Sequence, residues 1–326
     1  ELDEKIKTLP EILNENGYFT TAADNMERWF KRGFEVYEGY NWEINTYEWR
    51  KAEAVNKVAI KQIELASKQD RPFFCFLHYW DPHTPYLPPK PFDRMFYGGD
   101  ETDPKNHSME TVLNFPPFAK YFKQWMGHVT DIKFPCAQYD GAIAYCDATL
   151  SVLFQLLDEL ELVEDTALII LSDHGEELDE HGCWFDHHGL YETNLHVPLI
   201  IRCPDRISPN SRVSGMVSML DIAPTVLDLL GMKQIAEENE MMGKSLLSLL
   251  DNPEKNTRDF IFLTESSWMR KRGIRAEKWK YIHACEPDIH GFPPFELYDI
   301  QNDTEEQNNL AQQRPDVVEE MQTILN

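Results

Sequence analysis

The stretch Thr166-Ala167-Leu168-Ile169-Ile170-Leu171-Ser172-Asp173-His174-Gly175 joins a short apolar run to a carboxylate, an imidazole and a glycine. An uninterrupted apolar run of this length is typical of a β-strand buried on both faces. Asp173 and His174 would follow the carboxyl end of that strand, where open α/β sheets bind their ligands. Both side chains are suitable ligands for a divalent cation, and Gly175 lets the backbone turn away at once. The stretch therefore predicts a metal site at the edge of a mainly parallel α/β sheet.

Histidines are concentrated in the residues that follow this strand. Five of the 11 histidines belong to one short segment and are His174, His181, His187, His188 and His196. A solvated acidic loop with incidental histidines is the alternative interpretation, but the strand context and the density of His, Asp and Gly favour a functional site. We expect His181 and His196 to be structural or to support the metal ligands, as metal sites require. His188 is expected either to reach the cleft or to orient its neighbour.

A further histidine, His83, follows a second apolar run, Phe73–Tyr79, in the proline-rich loop Trp80–Tyr86. Loops that leave the end of a buried strand commonly carry binding residues. A histidine stacked on Trp80 or Tyr86 would be the structural alternative. The position predicts that His83 contacts the substrate.

The composition narrows the class of protein. Hydrophobic residues make up 42% of the 326 residues and charged residues 27%, which is typical of a globular domain. The formal charge of -25 argues against binding to nucleic acid, which requires lysine and arginine against the phosphates. An anionic substrate stays possible because a bound cation reverses the local field. No apolar run approaches the length of a membrane span, and the six cysteines lack the spacing of a zinc knuckle or a disulfide framework.

The order of the predicted elements indicates the fold class. Apolar strands alternate with amphipathic helices over the first three quarters of the chain, which favours a mainly parallel sheet flanked by helices. Thr8 and Glu11 form a capping box on the first helix, and Tyr139 and Asp140 are placed at the start of a later helix, with Asp140 as a possible cap. The inward face of that helix is predicted to carry Ile143, Leu150, Leu153, Phe154 and Leu157. The segment from the proline-rich loop up to Trp125 is expected to be irregular and polar.

The composition changes near residues 251–258. Beyond it, 259–265, 273–282 and 296–300 read as short strands, and 315–325 reads as a closing helix. Consecutive strands without intervening helices favour an antiparallel sheet. We therefore predict an α/β domain over residues 1–257 and a small antiparallel subdomain over residues 258–326.

Short motifs along nearly the whole chain occur in a specific order. They are Leu9-Pro10-Glu11-Ile12-Leu13, Asn16-Gly17-Tyr18, Arg32-Gly33-Phe34, Asp81-Pro82-His83-Thr84-Pro85-Tyr86, Tyr139-Asp140-Gly141-Ala142-Ile143-Ala144-Tyr145-Cys146-Asp147, Ser172-Asp173-His174-Gly175-Glu176, Tyr191-Glu192 with Val197-Pro198-Leu199-Ile200, Leu220-Asp221-Ile222-Ala223-Pro224-Thr225, and Trp279-Lys280-Tyr281-Ile282. In this order they resemble the formylglycine-dependent sulfatase family of the alkaline-phosphatase superfamily. The resemblance implies an alkaline-phosphatase-like fold and hydrolysis of a small-molecule or carbohydrate sulfate ester.

The resemblance also implies roles for individual residues. Asp173 and His174 match the pair that, with two aspartates near the N-terminus, holds a divalent cation in this family. That cation is usually Ca²⁺, and Mn²⁺ or Zn²⁺ stays open. His83 matches a histidine that binds the sulfate, and His187 matches a family lysine, so both are implied as catalytic residues. His181 and His188 are candidates for supporting roles.

Two departures from the family pattern affect the predicted activity. The Cys/Ser-x-Pro-x-Arg segment that supplies the formylglycine nucleophile does not occur in these residues, so the chain resembles a sulfatase beginning after its nucleophile. Turnover is accordingly not expected from this chain alone. The segment Ala23-Asp24-Asn25-Met26 stands where many members carry Gly-Lys-Trp-His. This replacement weakens the preference for sulfate over phosphate or phosphonate.

Three hypotheses follow from the sequence. The first is a sulfuric-ester hydrolase whose nucleophile lies upstream of Glu1. The second is a phosphoester or phosphonate hydrolase of the same superfamily. The third is a non-catalytic binding module that has lost the nucleophile.

Overall fold

The computed structural model describes residues 2–39 and 51–326. Its helices and strands in chain order are Leu9–Glu15 (α1), Phe19–Ala23 (β1), Val36–Glu38 (β2), Ala52–Ala66 (α2), Phe73–Leu77 (β3), Glu110–Leu113 (α3), Ala119–Met126 (α4), Lys133–Glu159 (α5), Leu168–Leu171 (β4), Glu192–Leu195 (α6), Leu199–Arg202 (β5), Ile222–Leu229 (α7), Lys233–Glu238 (α8), Phe260–Glu265 (β6), Lys271–Ala276 (β7), Trp279–Ala284 (β8), Phe295–Asp299 (β9) and Pro315–Leu325 (α9). They form two compact units. The first comprises Glu1–Asn106 with Val129–Thr166, and the second His107–His128 with Ala167–Asn326. The predicted division at residues 257 and 258 stays a prediction.

The first unit contains a parallel sheet with the strand order β2-β1-β3. Phe19 to Ala23 pair in register with Phe73 to Leu77. Helix α2 covers the sheet with Val55 and Val58, and Gln62 donates a hydrogen bond of 2.8 Å to the Ala22 carbonyl oxygen. The carboxyl ends of β1 and β3 consequently meet at one edge, as the predicted α/β class requires.

Helix α5 starts earlier than predicted and confirms only part of the predicted inward face, because Leu153 is buried and Leu150 and Leu157 pack in the same cluster. It begins at Lys133, so Asp140 lies inside the helix and does not cap it. Ile143 and Phe154 are 43% and 40% exposed. The buried stripe instead includes Gly141, where a side chain would collide with the Phe92 carbonyl oxygen. Small residues allow this close approach, and the apolar pattern does not reveal them.

The strand that precedes Asp173 pairs differently from the prediction. Strand β4 pairs antiparallel with β5, with Leu168 opposite Arg202 and Leu171 opposite Leu199. Leu171 is 37% exposed, so the strand is not buried on both faces. A parallel pair needs a crossover connection, usually a helix, and the connection here contains only the four-residue helix α6. The chain therefore returns to the same end of β4 and runs back beside it.

The C-terminal part of the second unit confirms the predicted antiparallel sheet and closing helix. The strand order is β6-β7-β8-β9, and all three pairings are antiparallel. Residues 273–282, predicted as one strand, contribute to two strands, because a short turn separates Ala276 from Trp279. Ile274, Tyr281 and Leu297 form the core beneath α9.

Residues 107–128 are more regular than predicted. They contain α3 and α4, and Val112, Phe122 and Met126 are buried. Across residues 2–39 and 51–326, no helix has the length and apolar character needed to cross a bilayer. The six cysteines carry free thiols.

Candidate active site

Asp173 and His174 leave the end of β4 side by side. The His174 Nε2 atom lies 3.8 Å from the Asp173 Oδ2 atom, and the Asp173 side chain is 73% exposed. His174 Nδ1 lies 2.9 Å from the Gly175 carbonyl oxygen. Because a carbonyl oxygen can only accept, Nδ1 carries a proton, and Nε2 is the ring nitrogen on the side of the Asp173 carboxylate.

Gly175 holds this turn against the segment that returns to β5. Its N–H donates a hydrogen bond of 2.8 Å to the Asn194 carbonyl oxygen. A Cβ atom at this position would collide with the Thr193 carbonyl oxygen. The predicted need for glycine here therefore has a steric cause, since the φ angle of Gly175 is not positive.

A short β-bridge brings the loop back to His174. Glu177 and Asp186 form an isolated antiparallel bridge, with a hydrogen bond of 2.9 Å from the Glu177 N–H to the Asp186 carbonyl oxygen. The Thr193 hydroxyl also donates to the buried Glu177 carboxylate. The bridge places His187 beside His174, with ring centroids 4.1 Å apart.

The pKa of the His187 imidazole lies below its usual range. Burial lowers the pKa of its imidazole, and the nearby His174 lowers it further, whereas Asp186 acts in the opposite direction. The backbone N–H of His187 donates a hydrogen bond of 2.7 Å to the Asp186 carboxylate. A neutral imidazole in this position can donate or accept a proton.

His181 has both ring nitrogens engaged. Nδ1 lies 2.9 Å from the Glu177 carboxylate, and Nε2 lies 3.0 Å from the Glu305 carbonyl oxygen. The ring also stacks on Tyr191 at 3.8 Å. Burial alone would lower the pKa of His181, but the Glu177 carboxylate outweighs it and the pKa is raised. His181 therefore fixes the loop and offers no lone pair to a cation.

His188 is buried behind His187. Its Nδ1 atom lies 3.4 Å from the Asp186 carboxylate, and its Nε2 atom lies 3.2 Å from Nε2 of His290. His290 belongs to the loop between β8 and β9 and was not identified from the sequence. The separation of these histidines along the chain leaves no local signal for their contact.

His83 lies in the first unit, in the loop after β3. Its Nδ1 atom lies 2.8 Å from the Thr84 carbonyl oxygen, so Nδ1 again carries the proton. The ring lies 5.5 Å from that of Trp80, at an angle of 57°. That His83 and His187 serve one substrate stays a prediction.

An acidic group at the edge of the parallel sheet was missed by sequence analysis as a site residue. The buried Asp24 follows β1 and lies 2.7 Å from Nδ1 of His78, which follows β3, and it also accepts a hydrogen bond from Tyr37. Burial would raise the pKa of Asp24, but the contacts with His78 and Tyr37 hold it below its usual range. The same strand-end argument that selected Asp173 could have selected this pair.

The donor set at Asp173 and His174 fits a divalent cation. A separation of 3.8 Å is too long for a hydrogen bond between the two side chains, but it suits two ligands of one ion, which bind at about 2.0–2.6 Å. The carbonyl contact at His174 Nδ1 is the arrangement that commonly orients a metal-binding imidazole. Asp173 and His174 would therefore hold the ion, with His187 beside them.

Comparison with known proteins agrees with this fold. The chain is similar to arylsulfatase K of Mus musculus, with 34% identity over 216 residues that cover 61% of this chain and 37% of the relative. It is also similar to choline-sulfatase of Rhizobium meliloti, with 27% identity over 269 residues that cover 77% of this chain and 49% of the relative. The chain thus spans less than half the length of these two curated relatives.

Solved structures show the same fold. One is a protein in complex with its substrate D-glucosamine-2-N,6-O-disulfate, at a TM-score of 0.73 and 20% identity, covering 99% of this chain and 82% of the other. Another is the phosphonate monoester hydrolase of Agrobacterium radiobacter, at a TM-score of 0.72 and 21% identity, covering 99% of this chain and 80% of the other.

Two family models match the chain. The model described as N-sulphoglucosamine sulphohydrolase, C-terminal, matches residues 179–326, which contain the antiparallel sheet. The sulfatase model matches residues 1–232, well over half of the chain and including both Asp173 and His187. The chain belongs to the sulfatase family.

Proposed function

We propose that the protein hydrolyses sulfate esters of a small molecule or a carbohydrate. The observation that carries this proposal is the convergence of Asp173, His174 and His187 at the end of β4 in a chain of the sulfatase family. Cleavage of a sulfate ester requires stabilisation of charge on the nonbridging oxygens and on the leaving oxygen. A carboxylate–imidazole pair that fits a cation, next to a neutral imidazole, supplies groups suited to both tasks.

The proposed roles differ among these residues. Asp173 and His174 hold a divalent cation, for which Ca²⁺ is our first choice, and the ion supplies positive charge next to the ester oxygens. His187 donates a hydrogen bond or a proton to the oxygens, the task that lysine has at this position in other family members. His83 contacts the sulfate group. The nucleophile is a formylglycine supplied by sequence upstream of Glu1.

The names of similar proteins support a carbohydrate substrate. The N-acetylglucosamine-6-O-sulfatase of Bacteroides thetaiotaomicron is 31% identical to this chain over 181 residues. The structural relative solved with D-glucosamine-2-N,6-O-disulfate has a sulfated sugar as its substrate. We therefore propose a sulfated sugar as the first substrate class to test.

A phosphoester or phosphonate hydrolase is the second candidate. Asp24 stands at the position where many sulfatases carry a lysine, and both polar atoms of the neighbouring buried Asn25 side chain lack a hydrogen-bond partner among the described residues. The phosphonate monoester hydrolase of Agrobacterium radiobacter has the same fold. Loss of the lysine from this segment removes a positive charge that would bind the sulfate oxygens, so the selection for sulfate would be weaker.

Activity of the complete protein distinguishes these candidates. The protein is produced from the complete open reading frame that encodes these residues, together with a formylglycine-generating enzyme, and conversion is checked by mass spectrometry. An aryl sulfate is then compared with the matching aryl phosphate and phosphonate, and a sulfated glucosamine is tested in parallel. We expect the sulfate to be preferred, chelation to abolish turnover, and Ca²⁺ to restore it better than Mn²⁺ or Zn²⁺.

Each result leads to a different conclusion. Preference for the phosphate or phosphonate would support the second candidate. An open reading frame that encodes no Cys/Ser-x-Pro-x-Arg segment, together with absence of turnover on every substrate, would leave a binding module. The variant His187→Ala should lower kcat/KM by about 10²–10⁴-fold, the usual contribution of a positioned acid or base, and an unchanged value would remove His187 from the mechanism.

A further inference from the structure

A second group of ligating side chains lies inside the second unit, and it includes neither Asp173 nor His174. Cys183, His188 and His290 each offer one ligand atom, and these atoms all lie within 4.8 Å of one another. Cys183 and His188 are 1% exposed, and the His290 side chain is 4% exposed. One thiol and two imidazoles therefore converge in the interior.

The distance between the two imidazoles matches tetrahedral coordination. The Nε2 atoms of His188 and His290 are 3.2 Å apart. Two nitrogens that each lie about 2.0–2.1 Å from a tetrahedral zinc ion would be about 3.3 Å apart. A shared hydrogen bond between two neutral imidazoles would give a similar distance. The surrounding groups therefore have to distinguish a bound metal from a shared hydrogen bond.

Carboxylates lie behind both imidazoles. His188 Nδ1 is 3.4 Å from Asp186 Oδ1, and His290 Nδ1 is 3.4 Å from Asp288 Oδ1. Neither contact has hydrogen-bond geometry, and both Nδ1 atoms are buried without a hydrogen-bond partner among the described residues. A carboxylate near the far nitrogen is nevertheless the usual setting of a metal-binding histidine, where it can draw the proton to Nδ1 and leave the lone pair on Nε2. Two lone pairs that face each other repel unless a cation lies between them. If each carboxylate draws the proton to Nδ1, a metal between the two Nε2 atoms is favoured over a shared hydrogen bond.

Aromatic rings fix the orientation of both imidazoles. His290 stacks between Phe115 and Phe292, with ring centroids at 4.7 Å and 5.3 Å and interplanar angles of 14° and 15°. Phe118 lies 5.4 Å from His188. The side chains are therefore preorganised, and little ordering is required when an ion binds.

The local charge is suited to a dication. Asp186 and Asp288 lie beside the two imidazoles, and the buried ammonium of Lys271 lies 2.8 Å from Asp288 and 3.3 Å from Glu296. Three carboxylates against one ammonium leave an excess of negative charge in a buried region, which is costly unless it is balanced. A doubly charged cation would balance it.

We propose that Cys183, His188 and His290 bind a zinc ion that joins the histidine-rich loop to the loop between β8 and β9. A water molecule completes the four ligands that zinc prefers. On binding, the Cys183 thiol releases its proton to solvent and a sulfur–zinc bond forms. The sulfur and nitrogen donors select zinc over calcium, which takes oxygen ligands.

Cobalt substitution tests the thiolate ligand directly. Co²⁺ is added to the metal-free complete protein, and the near-ultraviolet band of a sulfur-to-cobalt charge transfer is recorded. We expect one equivalent of Co²⁺ to produce the band and Zn²⁺ to displace it. Cys183→Ser should abolish the band and weaken zinc binding more than about 100-fold, and Asp288→Asn should weaken it about 10- to 100-fold through loss of the oriented imidazole.

The matched control is Cys203→Ser. Cys203 lies directly after β5 in the same unit and is partly buried, and it belongs to no group of three ligand atoms among the described residues. This variant should keep the charge-transfer band and the zinc affinity of the unmodified protein. A band that persists in Cys183→Ser, or that disappears equally in Cys203→Ser, would overturn the assignment.

X-ray absorption is measured on the zinc-loaded unmodified protein, so this test does not depend on whether a variant folds. One sulfur and two imidazoles in the zinc shell are expected. A shell of nitrogen and oxygen alone, or failure of the folded protein to retain zinc, would show that His188 and His290 share a hydrogen bond instead. Asp173→Ala is included so that zinc bound at the end of β4 can be subtracted.

Discussion

The imidazole rings of His174 and His187 lie 4.1 Å apart, and the bridge between Glu177 and Asp186 closes the loop that separates them. Backbone hydrogen bonds, which do not depend on a bound ion, maintain this bridge. The relationship between the two histidines is therefore built into the fold, and a cation or substrate would meet side chains that already lie side by side.

Loss of the Asp173 carboxylate should weaken binding of the catalytic cation. In the complete protein we expect Asp173→Ala to lower Ca²⁺ affinity at least about 10-fold and kcat/KM more than about 100-fold, because the ion stabilises charge that develops during the reaction. Calorimetry and an aryl sulfate assay measure these two effects. Asp165→Ala, at an exposed position before β4, serves as the control. Equal effects of the two substitutions would place the cation elsewhere.

Gly175 should tolerate no larger residue. Gly175→Ala places a Cβ atom against the Thr193 carbonyl oxygen and should destabilise the second unit by about 1–3 kcal/mol. Gly98→Ala introduces a Cβ atom that meets nothing within 4 Å, so its effect should stay within about 0.5 kcal/mol. Urea denaturation of both variants makes the comparison, and a Gly175→Ala protein of unchanged stability would contradict the close approach.

Lys280 is the centre of a buried ionic group that should be sensitive to truncation. It is 0% exposed and lies 2.6 Å from the Glu192 carboxylate and 2.7 Å from that of Glu306. Lys280→Met removes the cation but leaves both carboxylates inside, so we expect a loss of about 3–5 kcal/mol. Lys278→Met removes a surface pair with Asp299 and should cost less than about 1 kcal/mol. Similar melting temperatures for the two variants would refute the difference.

The contact between Glu11 and Arg32 should make stability depend on acid pH. Burial raises the pKa of Glu11, but hydrogen bonds from the Thr8 N–H and from Arg32 outweigh it, so the pKa lies below 4.5. A carboxyl group whose pKa is lowered by folding stabilises the native state above its unfolded pKa, and this contribution is lost as the pH falls toward the folded pKa.

Glu11→Gln tests this pH dependence. At neutral pH we expect the variant to be less stable by about 1 kcal/mol, a modest value because the Glu11 side chain is 25% exposed. The difference from the unmodified protein should shrink as the pH is lowered below about 4.5. Denaturation curves at several pH values measure it. A difference that grows at acid pH would have the wrong sign for a lowered pKa.

Local sequence signals predicted much of the secondary structure. The Thr8 capping box is present with both of its hydrogen bonds, and the C-terminal strands pair antiparallel as expected. These features depend on neighbouring residues or on short connections. The antiparallel pairing of β4 with β5 was not predicted, because an apolar run shows that a strand exists but does not identify its partner.

Sequence analysis grouped candidate site residues with one another only where they are close in the sequence. Asp173, His174 and His187 lie in one loop, and a single motif connects them. His290 reaches His188 only because β8 and β9 direct their connecting loop toward it, which no local pattern encodes. The same limit applies to Cys183. The ligating side chains near it are two histidines, one of them from another loop, so no spacing between cysteines in the sequence marks this group.

The assignment of residues 107–128 to the second unit has a consequence for synthesis of the chain. Phe115 and Phe118 emerge from the ribosome well before His290 and Trp268, whose rings they contact at 4.7 Å and 4.8 Å. Until those partners follow, this aromatic segment has no native surface to cover it and is open to chaperones or to misassociation. A fragment that starts at Ala167 would lack the segment altogether, so the second unit cannot be produced by simple truncation.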